Sequence, residues 1–288
     1  MSRSPPFALC LTHDVDRPYK TYQALSGALT GKTGYHLRTL VRDENPYWQF
    51  DRVCDIEADH GVRSAFYFLN EPSILRDAPR ALASPRRWVE HAGRYDVTAG
   101  EVADTIRRLD AGDWEVGLHG SYASARKPGR LAAEKETLEG MLGHAVTGVR
   151  QHHLRLAPET WRHHDGLGFD YDASLGRTDD VGFAYGHRTQ EPLPGFRVLP
   201  LTAMDVAFPD PGESWPAAVA AVERLLTEAE RERAVCSALW HPRLFSDAEF
   251  PGYRRLYRHL VERALEKGAW VGAPRDYFAE DPLGEFAE

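Results

Sequence analysis

The sequence has little of what would place it in several common protein classes. It has only three cysteines, Cys10, Cys54 and Cys236, which are widely spaced and odd in number, so we expect no disulfide framework. No apolar run approaches the length of a membrane span, and residues 1–6 lack the apolar core of a signal peptide. We therefore expect a cytoplasmic protein without a transmembrane segment.

Positive charge is also scarce. Lysine and arginine together number 35 against 43 aspartates and glutamates, which gives a net charge of -8 and a pI near 5.9. No basic stripe offsets this acidity, so we expect no nucleic-acid binding. With 42% hydrophobic and 27% charged residues over 288 positions, the composition is that of a globular protein with a sizeable core.

Short apolar segments alternate with helical patterns along the chain. Strands are predicted over 7–15, 64–70, 115–121, 148–154, 171–175, 198–205, 234–241 and 269–272. Helices are predicted over 49–60, 101–109, 131–142, 215–231 and 253–265. Such alternation implies parallel strands joined by right-handed crossovers, and we expect a single α/β domain over 1–288, an irregular (β/α)7-8 barrel.

Two segments do not fit the alternation. Residues 17–47 are irregular, and we expect them to form an excursion over the barrel mouth, such as a lid. Residues 280–288 are acidic and end the sequence, and we expect a frayed tail.

Polar residues that can act as acids, bases or metal ligands stand at the ends of nearly all predicted strands. These ends carry Thr12-His13-Asp14-Val15-Asp16, His119-Gly120-Ser121, Arg150-Gln151-His152-His153, Asp172 with Ser174, Asp205, and Trp240-His241-Pro242. One such residue is usually a helix cap or a hydrogen-bonded core side chain. In a β/α barrel, however, the carboxyl ends of the strands meet at one mouth, where active sites lie. Six polar strand ends together therefore predict an active site at the barrel mouth.

The first of these ends indicates a metal. Asp14 and Asp16 are two apart on a strand, so their side chains point the same way. Two neighbouring carboxylates repel unless a cation neutralises them, and a divalent ion would bind one and leave the other as a base. His119 supplies the imidazole that such sites prefer, and Zn²⁺ is the ion we expect.

In order and spacing, these segments resemble the motifs of polysaccharide deacetylases, the NodB-homology enzymes of carbohydrate esterase family 4. The matching segments are 12–16, 119–121, Arg150, 171–175 and 239–242, and the resemblance extends over residues 7–275. It implies an irregular barrel of the glycoside hydrolase/deacetylase type. It also implies metal-dependent removal of an acetyl group from an N-acetylated sugar or glycan precursor, a carbohydrate substrate.

The resemblance also assigns roles to individual residues. Asp14 matches the catalytic base, and Asp16 and His119 match metal ligands. Arg150 matches the arginine that positions the base, and His241 matches the general acid that protonates the leaving amine.

One family position is different. The family's second metal motif has another histidine four residues after the first, and here that residue is Ala123. Another side chain replaces it, or the metal binds weakly with more water, or no metal binds and the fold serves another chemistry or only binds sugar. As the replacement we favour His152, which shares strand parity with Arg150, followed by His153 or His13.

Substrate contacts are less specific in the sequence. We predict that Tyr122 and Trp240 stack on a sugar and that Asp172 binds a hydroxyl, although aromatics are more often core residues and aspartates often cap helices.

Two other functions remain open at this stage. One is hydrolysis of another non-peptide C–N bond, such as that of a ureide or small amide. The other is a catalytically inactive sugar-binding protein, which Ala123 suggests, whereas the presence of Asp14, Arg150 and His241 favours catalysis. The lack of a signal segment favours a lipid-linked or nucleotide-linked precursor as the substrate.

Overall fold

A computed structural model describes residues 4–20, 45–71, 94–122 and 124–286. Ten strands in these ranges form one sheet. They are β1 (Ala8–Val15), β2 (Ala65–Leu69), β3 (Glu115–Gly120), β4 (Gly148–Gln151), β5 (Tyr171–Asp172), β6 (Gln190–Leu193), β7 (Phe196–Val198), β8 (Ala203–Met204), β9 (Val235–Leu239) and β10 (Trp270–Gly272). Their order is β6-β7-β5-β4-β3-β2-β1-β9-β8, with β10 beside the first half of β1, and only β6 and β7 pair antiparallel.

Seven α-helices of the described ranges connect these strands. They are α1 (Phe50–Asp59), α2 (Gly100–Ala111), α3 (Pro128–Leu142), α4 (Thr160–Gly166), α5 (Trp215–Glu232), α6 (Tyr253–Glu266) and α7 (Pro274–Glu280). Each of the longer ones buries one face, as α1 does with Phe50, Val53 and Ile56. Gly61 follows α1 with a φ of 67°, a left-handed conformation that glycine adopts readily and that ends the helix. No helix in the described part of the chain combines the length and apolar character that crossing a bilayer requires.

The sheet curls into a half-barrel, which confirms the predicted irregular barrel. Its closing segment differs from the prediction, because the run 198–205 is not one strand but the end of β7 followed by β8. Between them, Leu201 donates its N–H to the Leu175 carbonyl at 2.8 Å and Thr202 donates to the Ser237 carbonyl at 3.0 Å. This irregular stretch therefore carries the chain from the β5 side to the β9 side.

Several short elements and the packing of the C-terminal tail differ from the prediction. The β6–β7 hairpin, α4 and α7 were not predicted, because elements of two to seven residues show too little periodicity. Residues 280–286 are not frayed: Glu285 accepts a hydrogen bond from Thr189 Oγ1 at 2.8 Å, and Phe286 packs against Phe278. Most of the predicted lid, residues 21–44, lies outside the described residues.

A hydrogen-bonded chain of polar side chains runs inside the barrel. The Tyr67 and Tyr171 hydroxyls lie 2.7 Å apart, and Tyr171 donates to Glu115 Oε1 at 2.6 Å. The Arg275 N–H completes the chain by donating to Glu115 Oε2 at 2.9 Å. The rings need space, and Gly117 provides it, because a Cβ there would lie 2.4 Å from the Tyr67 ring.

Candidate functional site

Strand β1 carries the two carboxylates to the barrel mouth. It is buried over its whole length, and Asp14 and Asp16, two residues apart, approach the same imidazole. Asp14 Oδ2 lies 3.8 Å and Asp16 Oδ1 lies 3.0 Å from His119 Nε2, at the end of β3. β1 ends at Val15 and Asp16 follows it directly, so the structure brings the two side chains together at the strand end, as predicted.

Arg150 fixes the orientation of Asp14. Its guanidinium is fully buried, and Nη1 donates to Asp14 Oδ1 at 2.9 Å and to Thr12 Oγ1 at 2.9 Å. Its Nε donates to the Ala173 carbonyl at 2.8 Å, and the guanidinium lies 4.7 Å from the centre of the Tyr67 ring. These contacts from three strands leave the Asp14 carboxylate one orientation, with Oδ2 facing the mouth.

Three ligand atoms converge beside Asp14. Asp16 Oδ1 is 3.0 Å from His119 Nε2 and 3.2 Å from His152 Nδ1, and these two nitrogens are 3.0 Å apart. Asp16 Oδ1 is buried, and no donor in the described part of the chain is aligned to hydrogen-bond with it. One carboxylate oxygen and two imidazole nitrogens form a candidate metal site.

The residues present fit a zinc ion. Ligands at about 2.0–2.1 Å in a tetrahedron are about 3.3 Å apart, close to the spacing of these three atoms. His119 Nδ1 lies 2.9 Å from the Arg150 carbonyl, and donation to that oxygen leaves Nε2 as the lone-pair nitrogen that faces Asp16. Two histidines and one carboxylate are also the donor set of known catalytic zinc sites.

A backbone turn, and not strand alternation, places His152. β4 ends at Gln151, so the parity argument from the sequence was wrong, although the histidine it favoured does lie beside Asp16. His152 begins a short 3-10 turn in which His153 has a φ of 57°. This left-handed residue reverses the chain and directs the His153 ring to the surface, against Tyr122.

His13 lies behind the site. It is fully buried, with Nδ1 2.6 Å from the Trp240 carbonyl and Nε2 3.0 Å from Glu57 Oε1. It therefore links β1, β9 and α1, and among the three histidines considered to replace a ligand at Ala123, only His152 joins the cluster.

His241 follows β9 and faces the metal ligands from the other side. Its Nε2 lies 3.4 Å from Asp16 Oδ2, and its Nδ1 lies 2.8 Å from Asp205 Oδ2, which also accepts the His241 backbone N–H at 2.5 Å. Burial lowers the pKa of His241, but the charge of Asp205 outweighs it and raises this pKa to about 9. The imidazole is thus held as a proton donor near neutral pH.

The same charges act on the other groups of the cluster. Burial raises the pKa of Asp16, but the interaction with His152 overcomes this and holds it well below its usual value. Burial lowers the pKa of His119, whereas Asp14 and Asp16 raise it to above the ordinary value. A carboxylate that stays ionised and imidazoles surrounded by carboxylates favour a cation at this position.

Asp205 is the residue whose role the sequence did not reveal. It ends the run 198–205 and was predicted only as one of the polar strand ends, with no role of its own. It is fully buried, and both of its contacts through Oδ2 go to His241. The sequence did contain a signal for this contact, because Asp205 and His241 each end a predicted strand. The two strands, β8 and β9, are neighbours in the sheet.

Two predicted substrate contacts are not at the mouth. Trp240 is fully buried and packs against Phe208 and Tyr257, so it cannot stack on a sugar. Asp172 is also fully buried and accepts hydrogen bonds from the Ser174 N–H at 2.8 Å and hydroxyl at 2.7 Å. Tyr122, by contrast, is 51% exposed at the end of β3 and remains available.

The chain matches no protein-family model and no curated protein sequence. Among solved structures it is similar to a protein assigned as a polysaccharide deacetylase from Mycobacterium smegmatis, with a TM-score of 0.62 and 17% identity over 99% of this chain and 93% of that one. It is similar to the PuuE allantoinase, with a TM-score of 0.60 and 16% identity over 98% and 93%. It is also similar to the chitin deacetylase of Colletotrichum lindemuthianum, with a TM-score of 0.50 and 14% identity over 99% of this chain and 90% of that one. The chain therefore has the irregular β/α-barrel fold of polysaccharide deacetylases.

Proposed function

We propose that the chain is a divergent polysaccharide deacetylase of the NodB type, a metal-dependent hydrolase that removes the acetyl group of an N-acetylated sugar or glycan precursor. The observation that carries this proposal is the convergence of Asp16, His119 and His152, with ligand atoms 3.0–3.2 Å apart. Asp14 and His241 adjoin this cluster, so a base and an acid flank the same point. A binding-only protein has no use for that pair.

Asp16, His119 and His152 would hold the ion, for which Zn²⁺ is our choice. When bound, it supplies a Lewis acid for the acetamide carbonyl and lowers the pKa of water. The chain's own residues then perform the proton transfers on either side of the scissile bond.

Asp14 is the proposed base. Arg150 and Thr12 fix the carboxylate from behind, so that Oδ2 faces the mouth and accepts the proton of the attacking water. Such general-base assistance contributes about 10²–10⁴-fold to a rate.

His241 is the proposed acid. The amine leaves only after protonation, and Asp205 keeps the His241 imidazole protonated and orients it through Nδ1, so that Nε2 delivers the proton. The base and the acid are therefore each held by a buried partner of opposite charge, Arg150 and Asp205.

Two asparagine variants test the proposal, because they separate metal binding from catalysis. Asp16→Asn should lose the bound zinc and all acetate release, whereas Asp14→Asn should keep one equivalent of zinc and lose about 10²–10⁴ of kcat. Metal content is measured by elemental analysis of dialysed protein, and acetate release is measured on N-acetylglucosamine oligomers and precursors.

Three results would contradict the proposal in different ways. Full zinc and full activity in Asp16→Asn would refute the site. No zinc in the wild-type protein, with no rise in melting temperature on adding it, would favour a binding protein. If the protein hydrolyses a ureide or small amide and leaves N-acetyl sugars unchanged, the C–N bond that it cleaves is a different one from the bond proposed here.

A further inference from the structure

Arginines surround the candidate site in a protein that is acidic as a whole. The net charge is -8, yet Arg17 and Arg243 line one small cleft with Asp14 and Asp16. Arg155 lies close by, beyond the end of β4. The cleft therefore carries as many positive as negative charges although the molecule as a whole is acidic, and the arginines around the site differ in how their charge is compensated.

Arg243 is only weakly paired. It follows His241 by two residues, and in the described part of the chain its only ion-pair contact is Asp16 Oδ2, 3.7 Å from Nη1. That distance is too long for a hydrogen bond. Asp16 also belongs to the candidate metal site, and a cation bound there would use the charge of this carboxylate. Arg243 would then face the mouth without a carboxylate of its own.

Arg155 lies on the His152 side of the candidate site, stacked on Tyr122. Its guanidinium stacks on the exposed Tyr122 ring at 3.9 Å from the centroid, and Nη1 donates to the Tyr122 carbonyl at 2.7 Å. No carboxylate in the described residues lies within ion-pair distance of it. The Tyr122 ring in turn contacts His153, next to His152. Stacking and a carbonyl hold the side chain in place and leave its charge uncompensated.

The neighbouring carboxylates do not offset these charges. Asp14 is bound by Arg150, Asp205 is bound by His241, and Glu71 is paired with Arg94 at 2.8 Å. An acetamide and a neutral sugar can accept hydrogen bonds from the two remaining guanidinium groups, but only an anion would also neutralise their charge.

We propose that the substrate carries an anionic group, a phosphate or a carboxylate, which is bound by Arg243 on the His241 side or by Arg155 on the His152 side while the N-acyl group lies at the candidate metal site. This inference rests on the proposed function, and it names the substrate class as acidic N-acyl sugars such as sugar phosphates, nucleotide-linked sugars or carboxylated amino sugars. Arginine suits both anions, because its planar fork pairs with two oxygens of either.

Binding and turnover are measured on three probes with the zinc-loaded protein: N-acetylglucosamine, its 1-phosphate, and N-acetylmuramic acid. Calorimetry should show at least one acidic probe binding about tenfold or more tightly than the neutral sugar, and the two acidic probes distinguish a phosphate from a carboxylate. Arg243→Gln or Arg155→Gln should reduce this preference by about tenfold, the effect of one partly desolvated ion pair, and the variant that does so identifies the side on which the anion lies.

Arg255→Gln is the matched control. Arg255 stacks on Trp215 at 3.9 Å, the same distance as Arg155 on Tyr122, but on α6 away from the mouth. It should keep the preference of the wild-type protein. Each variant is compared at equal zinc content, because zinc itself attracts phosphate and this contribution is common to all of them.

The outcomes separate this inference from the deacetylase proposal. Equal affinities for the neutral and acidic probes, or losses in Arg243→Gln and Arg155→Gln no larger than in Arg255→Gln, overturn the anionic substrate. Arginine-dependent binding of an acidic probe without acetate release leaves the inference standing and refutes deacetylation of these sugars.

Discussion

Among the buried polar clusters of this barrel, the one at the mouth and the Tyr67–Tyr171–Glu115 cluster in the interior are built on different rules. In the interior, Tyr67, Tyr171 and Glu115 form a continuous chain that ends on a backbone N–H. At the mouth, Asp16 Oδ1 is buried beside two imidazole nitrogens and has no aligned donor in the described part of the chain. Burial of polar groups is thus common to both clusters, and only the arrangement of donors and acceptors distinguishes them.

The difference shows which polarity is structural. A buried polar group is stable when it is paired, so the interior chain needs nothing further. A carboxylate oxygen and two ring nitrogens facing one another form a set of acceptors, and such a set is stabilised by a cation. Substitutions in the two clusters should therefore have different consequences for metal binding, proton transfer and stability.

Removing His152 should have the largest effect. His152→Ala deletes one of three proposed ligands and should weaken zinc binding by more than about 100-fold, since even the loss of partners that only orient ligands costs about 10–100-fold. His153→Ala is the matched control, because His153 is exposed and outside the ligand cluster, although its ring lies 4.0 Å from the His152 ring. Competition with a chromophoric chelator measures both affinities. A greater loss in the His153 variant would exchange the two roles.

Asp205→Asn should have a smaller effect, confined to proton transfer. The amide removes the charge that raises the pKa of His241, so this pKa falls from about 9 and the alkaline limb of the kcat profile should move to lower pH. At neutral pH we expect kcat to fall by about 10–100-fold with zinc content unchanged. An unshifted profile would mean that His241 does not act as the acid.

Strand positions could be predicted from the sequence because β1, β2, β3 and β9 are buried on both faces and read as continuous apolar runs. The meeting of Asp14, Asp16, His119 and His241 followed from this, since parallel strands present their carboxyl ends at one mouth. Local rules were sufficient there.

The rest depends on tertiary contacts that local patterns do not encode. The position of His152 comes from a short turn that contains the left-handed residue His153, and the burial of Trp240 comes from its contacts with Phe208 and with Tyr257 of α6. The tryptophan adjoins His241 in the sequence, but its side chain points to the opposite side, into the core. Asp205 was overlooked because its partner lies 36 residues away.

The interior cluster gives the prediction with the smallest effect on the site. Burial raises the pKa of Glu115 to about 7 from the ordinary 4.5, although the hydrogen bond from Tyr171 opposes this. The folded protein therefore holds a proton that the unfolded chain has lost between these values. Stability from this group is complete below about pH 4.5 and is lost as pH rises to about 7.

Glu115→Gln should remove this dependence without affecting activity, because the amide copies the protonated acid and lies far along the barrel from the mouth. Between pH 5 and 8 the free energy of unfolding of the wild-type protein should fall by about 2–3 kcal/mol more than that of the variant. Urea denaturation at several pH values measures the difference, with the exposed Glu136→Gln as control. Parallel curves for all three proteins would show that Glu115 stays ionised and that the interior chain, like the mouth, carries a charge.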